Sequence, residues 1–148
     1  MKKTVLITGG FDPLHSGHIA YMRAARELGD MLVVGVNSDA WLTRKKGKFF
    51  LPISERFEIV GSIRHVDLVI SFNDDDGSAK DAIRVVREYF PETHIVFANG
   101  GDRTATNIPE MDVNDSNLSF EFGVGGDYKM NSSSWILKNY LTSNENAV

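Results

Sequence analysis

Two histidines three residues apart, His15 and His18, lie in the stretch GGFDPLHSGH (residues 9–18) that follows the first apolar run of the chain. At a helix start this spacing sets both imidazoles on one side, and Gly17 between them leaves room for something bulky. Gly9 and Gly10 let a ligand come close to the backbone, and exposed amides at the next helix N-terminus attract anions. Two imidazoles beside such amides suit phosphate oxygens, as donors whose bonds strengthen when charge builds up. The residues alone favour phosphate chemistry and leave two alternatives open. One is a structural histidine pair in a turn. The other is a metal pair, although H-x-x-H lacks i,i+4 spacing and no third ligand is evident, so no metal ligand is assigned. No G-x-x-x-x-G-K-[ST] occurs, which excludes a P-loop.

Composition narrows the setting. A chain of 148 residues fits one domain, taken as residues 1–148, with a core that needs no staples. It has no cysteine, so disulfides, thiolate zinc sites and cysteine nucleophiles are excluded. With a net charge of −4 and no basic stripe, it lacks the electrostatic footprint of a nucleic-acid binder. Val5-Leu6-Ile7 is too short for a signal peptide, and no stretch approaches the roughly 18 apolar residues of a membrane span. The expectation is a cytoplasmic protein with no nucleic-acid and no membrane partner.

The elements that must position the histidines alternate. Strand-like runs are TVLIT (4–8), MLVVGV (31–36), DLVIS (67–71), HIVFA (94–98) and LSFEF (118–122). Near-continuous apolar runs of this length suit strands covered on both faces. One helix is predicted from near Gly17 to Gly29, and another from Ser54 with Phe57, Val60 and Ile63 on its apolar side. A third opens at Ser78 with Asp81 completing a capping box and ends before Pro91. The last is SSSWILKNYL, with Ser132, Ser133 and Ser134 as candidate caps and Trp135, Ile136 and Tyr140 as its inner face; the tail 142–148 is expected to fray. Alternation of strand and helix predicts an α/β fold, a doubly wound, Rossmann-like parallel sheet of about five strands. In such sheets ligands bind beyond the carboxyl ends of the strands. GGFDPLHSGH, NSD (37–39), NGGD (99–102) and NSSS (131–134) then converge on one rim.

GGFDPLHSGH resembles the H-x-G-H signature of the cytidylyltransferase-like nucleotidylyltransferases, and the serine triplet resembles their second motif. VNSD, KKG, ERFEIVGSIRHVDLVISF and NGGD follow in the order seen in the sugar-phosphate members, with heptose-phosphate adenylyltransferases and glycerol-phosphate cytidylyltransferases nearest in pattern. The resemblance implies transfer of AMP or CMP from ATP or CTP to a phosphorylated small-molecule acceptor, with Mg²⁺ accompanying the NTP and pyrophosphate released. It implies that His15 and His18 hold the triphosphate, that Lys46 or Lys45 swings in as a bridging cation, and that Arg56 does likewise. An ion pair of Arg56 with Glu55 or Glu58 is the plain alternative. Ser132 and Ser133, with Ser134, would meet the outer phosphates or simply cap their helix. Gly9, Gly10, Phe11, Gly100, Gly101 and Asp102 would line the nucleotide. Asp12, Asn37 and Asp39 would meet the acceptor, or Asp39 would cap the short helix after it. A homodimer is also expected from relatives.

Departures from the pattern bear on substrate choice. No arginine follows Arg103, Lys129 is the one cation shortly before the serine motif, and Arg103 stands where relatives often carry an aromatic residue. Pro13 and the serine triplet also resemble pantetheine-phosphate and nicotinate-mononucleotide adenylyltransferases, while the middle segments argue against them. A catalytically silent nucleotide-binding domain is the rival from another class. NDDDG (73–77) reads as a solvated turn. The acidic segment 104–128 is expected to shape the acceptor pocket or a lid, and the absence of an aromatic cage favours a sugar or glycerol phosphate over phosphocholine.

Overall fold

The computed structural model describes residues 1–101, 103–104, 107–125 and 132–146. Five parallel strands form one sheet: β1 (Lys3–Gly9), β2 (Met31–Val36), β3 (Leu68–Ser71), β4 (His94–Ala98) and β5 (Leu118–Glu121). Their order across the sheet is β3-β2-β1-β4-β5. Helix α1 (Ser16–Arg26) joins β1 to β2, and α2 (Asp39–Lys46) and α3 (Ile53–Gly61) fill the path from β2 to β3. Helix α4 (Lys80–Tyr89) leads from β3 to β4, and α5 (Ser133–Asn146) follows β5.

Alternation along the central strands makes two cores. Val5, Ile7, Val34 and Val36 point to one face, where Met22 and Ala25 of α1 and Val60 of α3 cover them. Leu6, Val33, Ile95 and Phe97 point to the other, under Ala82, Ile83 and Val86 of α4. This double cover is why the strands read as unbroken apolar runs. Phe120 and Phe122 pack against the α4 side, as their alternation requires. Among the described residues, no helix is long and apolar enough to cross a membrane.

Local expectations at three helices are corrected. Helix α4 has Ala79 at its N-cap with no side-chain cap. Asp81 turns away to accept the Asn73 N–H at 2.7 Å and the Arg84 Nε–H at 2.6 Å, so the expected capping box does not form. Phe57 of α3 is exposed, because Val60 and the buried Arg56 occupy the inward side. Helix α5 runs to Asn146, into the segment 142–148 expected to fray, and its Trp135 and Tyr140 are 52% and 59% exposed. Its anchorage lies instead at its N-terminus, where Ser132 and Ser133 are buried.

The strand order reverses between β1 and β4. Loops leaving the carboxyl ends of these neighbouring strands diverge, and the crevice between them is the position where open α/β sheets bind ligands.

Candidate functional site

A cavity of about 510 Å³ opens at this end of β1 and β2. Its floor is Thr8, Gly9, Gly10 and Phe11. One side is His18 with Ser133, another is Trp41, Lys45 and Lys46 of α2, and the far wall holds Gly77–Ala79, Arg103 and Glu110.

The two histidines cap their own helix. His15 is the N-cap of α1, and its Nδ1 accepts the Gly17 N–H at 3.1 Å. His18, three residues on, returns the arrangement by accepting the His15 N–H at its own Nδ1, also at 3.1 Å. This is a capping box built from imidazoles in place of Ser/Thr and Glu. The rings stack with centroids 3.9 Å apart, and Phe11 meets His18 edge-on at 5.1 Å. A ring nitrogen that accepts a hydrogen bond carries no proton, so both neutral rings are fixed with the proton on Nε2. Burial holds the His18 pKa down to about 3, with smaller contributions from His15 and Lys46. The side chain facing the cavity is thus a neutral Nε2–H donor. Gly17 is needed here, since a Cβ at that position would lie 2.9 Å from Cε1 of the His15 ring.

Cations ring the opening. Lys45 and Lys46 end α2, which Gly47 stops by adopting φ +89° and donating to Thr43 O at 2.8 Å. The Lys45 ammonium stands 4.6 Å from the centre of the Trp41 ring. Partial burial, then Arg103 and Lys46, push the Lys45 pKa below its ordinary value. Mutual repulsion of this kind in a chain of net charge −4 marks a local field built for an anion.

Ser133 lines the cavity from the start of α5, with Ser132 just before it. Ser133 Oγ–H donates to Pro13 O at 2.7 Å, tying α5 to the first loop. Ser132 Oγ accepts the Trp135 N–H at 3.0 Å, so the capping role expected of the serine motif is present. Ser134 is exposed and does not line the cavity.

Asp12 and Arg56 stand beneath the cavity, and neither faces it, in contrast to their expected contacts with acceptor and phosphates. Arg56 is 1% exposed. Its guanidinium donates to Gly10 O at 3.0 Å, Asn37 O at 2.7 Å, Leu51 O at 2.8 Å and Asp39 Oδ1 at 2.6 Å. Its ion pair is therefore with Asp39, and neither Glu55 nor Glu58 takes that place. Asp12 accepts the N–H groups of Phe50 at 2.6 Å and Leu51 at 2.7 Å. Together these two side chains bind the loops after β1 and β2 to the segment between α2 and α3. Ser38, and not Asp39, caps α2 by accepting from Trp41 N. Asn37 lines the cavity, with its Nδ2 donating to Asp74 at 3.0 Å. Asp74 is 1% exposed and also accepts from Ser38, so NDDDG is not solvated throughout.

Gly100 and Gly101 follow β4 and lie outside the cavity lining, with Gly100 against Tyr21 and Val124. Asp102 and Lys129 fall outside the described residues. Trp41 and Arg103 are cavity residues without an expected role in the sequence, while Glu110 falls in the acidic segment 104–128 expected to shape the acceptor pocket or a lid. The resemblance had flagged Arg103 only as a departure. A cationic residue shortly after NGGD, at the end of a central strand, was the signal available.

A parallel sheet in this order, with a glycine-floored cationic cavity at its switch point, is a Rossmann-like nucleotide-binding architecture. Residues 6–126 match the cytidylyltransferase-like family. The chain belongs to that family. The bifunctional protein HldE of Enterobacter sp. (strain 638) is 38% identical over 121 residues, covering 74% of this chain and 25% of that protein. HldE of Citrobacter koseri is 37% identical over the same shares. The chain thus spans about a quarter of the length of these curated relatives. Among solved structures, the lipopolysaccharide core biosynthesis protein of Thermoplasma volcanium GSS1 is similar with a TM-score of 0.61 and 25% identity, over 82% of this chain and 96% of that one. The NadR protein solved with NAD and AMP-PNP shares the fold, with a TM-score of 0.55 and 18% identity over 99% of this chain and 43% of that one.

Proposed function

We propose that this domain transfers AMP from ATP to the phosphate of a small sugar or polyol, a heptose phosphate in first place, and releases pyrophosphate. The observation that carries the reading is the His18 ring. Its Nδ1 is held by the His15 N–H, and Nε2–H remains as a donor into a cavity ringed by Lys45, Lys46 and Arg103. The likeness to HldE supports ATP and a heptose-type acceptor over CTP and glycerol phosphate.

In this reading an acceptor phosphate oxygen attacks the α-phosphorus in line. The new P–O bond forms as the bond to the bridging oxygen breaks, and that oxygen leaves with its electron pair on pyrophosphate. No covalent enzyme intermediate is formed. His18 Nε2–H donates to the phosphate oxygens, and its bond strengthens as charge moves toward the leaving group. His15 holds the His18 ring in place. Lys46 and Lys45 supply positive charge from the end of α2, and Ser133 meets the outer phosphates. Gly9 and Gly10 leave the floor open to the triphosphate. Arg56 and Asp12 hold these loops in register from below, a positioning role. Mg²⁺ would accompany the NTP and supply neutralisation of part of its charge. Among the described residues no group of three His, Asp or Glu side chains could cage a metal, and a cationic lining suits a triphosphate that brings its own.

The test is pyrophosphate release with ATP and CTP against heptose, hexose and glycerol phosphates, phosphocholine, phosphopantetheine and nicotinate mononucleotide. Turnover is expected with ATP and a sugar phosphate. Preference for phosphopantetheine or nicotinate mononucleotide would overturn the acceptor, and no release with any pair would leave a silent nucleotide-binding domain.

A further inference from the structure

Glu110 sits on a 3₁₀ turn (Pro109–Asp112), lines the same cavity as His18, and is 2% exposed. Its Oε2 is buried and has no hydrogen-bond partner. Its Oε1 is 3.8 Å from Arg103 Nη1, beyond hydrogen-bond length. A buried carboxylate oxygen without a donor is costly, and few native groups are left so. This one lines a cavity.

We infer that Glu110 reads the acceptor, taking hydrogen bonds from hydroxyl groups of the sugar or polyol; the inference rests on the function proposed above. Charge sorts the ligand's parts. Phosphates are repelled by a carboxylate and drawn to Lys45, Lys46 and the His18 donor, so the group beside Glu110 is a hydrogen-bond donor. An ammonium would lie among Arg103, Lys45 and Lys80, whose charges oppose it. Neutral hydroxyls fit both conditions, and the unpartnered Oε2 can receive one. The other polar groups expected to meet the acceptor have partners already: Asp39 holds Arg56, and Asn37 Nδ2 is bound to Asp74. Burial raises the Glu110 pKa above its ordinary value, an effect that an incoming hydroxyl donor reverses.

The experiment compares the whole chain with its Glu110→Met and Glu110→Gln variants. Glycerol 3-phosphate, a hexose 1-phosphate and a heptose 1-phosphate are each assayed beside the matching deoxy compound. Glu110→Met is expected to raise KM for the best hydroxylated acceptor about tenfold or more, with KM for ATP within about twofold. Preference for that acceptor over its deoxy counterpart should vanish in the Met variant and survive in part in the Gln variant, which keeps one acceptor oxygen. Equal losses on hydroxylated and deoxy acceptors, or a change confined to KM for ATP, would overturn the inference and leave nucleotidyl transfer standing. If the parent chain turns over no acceptor, the proposed function fails. Calorimetry of the same compounds with a non-hydrolysable ATP analogue then decides on Glu110. Hydroxyl-dependent binding lost in Glu110→Met upholds it, and equal binding by parent and variant refutes it.

Discussion

His15 and His18 each hold a backbone N–H at Nδ1, one from Gly17 and the other from His15 itself, and their rings stack at 3.9 Å. The same two nitrogens that cap α1 therefore decide which nitrogens can act. Capping and donation are separable by substitution. Asn carries its amide where Nδ1 lies, and Gln carries its amide where Nε2 lies. His18→Asn is expected to keep most of the stability and to lose ~10²–10³ in kcat, the usual cost of one transition-state donor. His18→Gln should retain more turnover and melt earlier. Steady-state kinetics and thermal melts on the pair check this, and equal kcat in His18→Asn and the parent would return the histidine to a purely structural role.

Gly17→Ala reaches the same site without touching a ligating group. The added methyl meets the His15 ring at 2.9 Å, so the ring must swing and release the Gly17 N–H. With its stacking partner displaced, His18 loses its fixed orientation. The expected result is a fall in kcat of about tenfold or more with a modest loss of stability, since one cap is worth ~1 kcal/mol.

Arg56→Lys tests the strap below the cavity. A lysine cannot serve Gly10 O, Asn37 O, Leu51 O and Asp39 together, and it leaves buried acceptors unpaired. Each buried acceptor left unpaired costs roughly 1–3 kcal/mol, read as a lower urea midpoint. Activity should fall through both kcat and the KM for each substrate. Intact stability with a loss confined to kcat would instead mark a direct phosphate contact.

The depressed His18 pKa fixes a pH dependence of stability. Between its ordinary 6.5 and about 3, the unfolded chain takes up a proton that the native ring refuses. Stability therefore rises with pH across this window and is lost as pH falls, by up to ~1.4 kcal/mol per pH unit for one group. Asp81 and Asp115, held low by Arg84 and Arg87, add their losses only below the ordinary carboxylate range. Glu110 acts with opposite sign: burial raises its pKa, so its contribution worsens as pH rises through its titration. Urea midpoints between pH 4.5 and 7 in Glu110→Gln should show the His18 slope, and adding His18→Asn should flatten it.

Metal dependence follows from the cationic lining. Turnover should stop in EDTA and return with Mg²⁺ or Mn²⁺, while folding is unaffected. Elemental analysis should find no stoichiometric zinc; one zinc per chain lost on substituting His15 and His18 would replace the phosphate reading with a metal site.

The sheet was legible because its signals are local. Runs such as MLVVGV and HIVFA announce strands covered on both faces, and the polar stretch after each strand marks one rim. The histidine pair was legible for the same reason, as it acts within one helical turn. Arg56 was not. Its partners are Gly10 and Asn37, reached through folding across 46 and 19 positions, and no local pattern tells a buried strap from a surface cation. Asp12 reaches Phe50 and Leu51 in the same long-range manner. Trp135 and Tyr140 misled because a helix anchored at one end need not bury the stripe that its spacing offers.

The Ser133–Pro13 bond joins residues 120 positions apart. On the ribosome, domains fold from the N-terminus as the chain emerges. The sheet ends at Glu121, so its strands and the histidine helix precede Ser132 and Ser133, while the cavity side that α5 supplies comes after them. Until α5 has docked, the cavity lacks the side that Ser133 supplies.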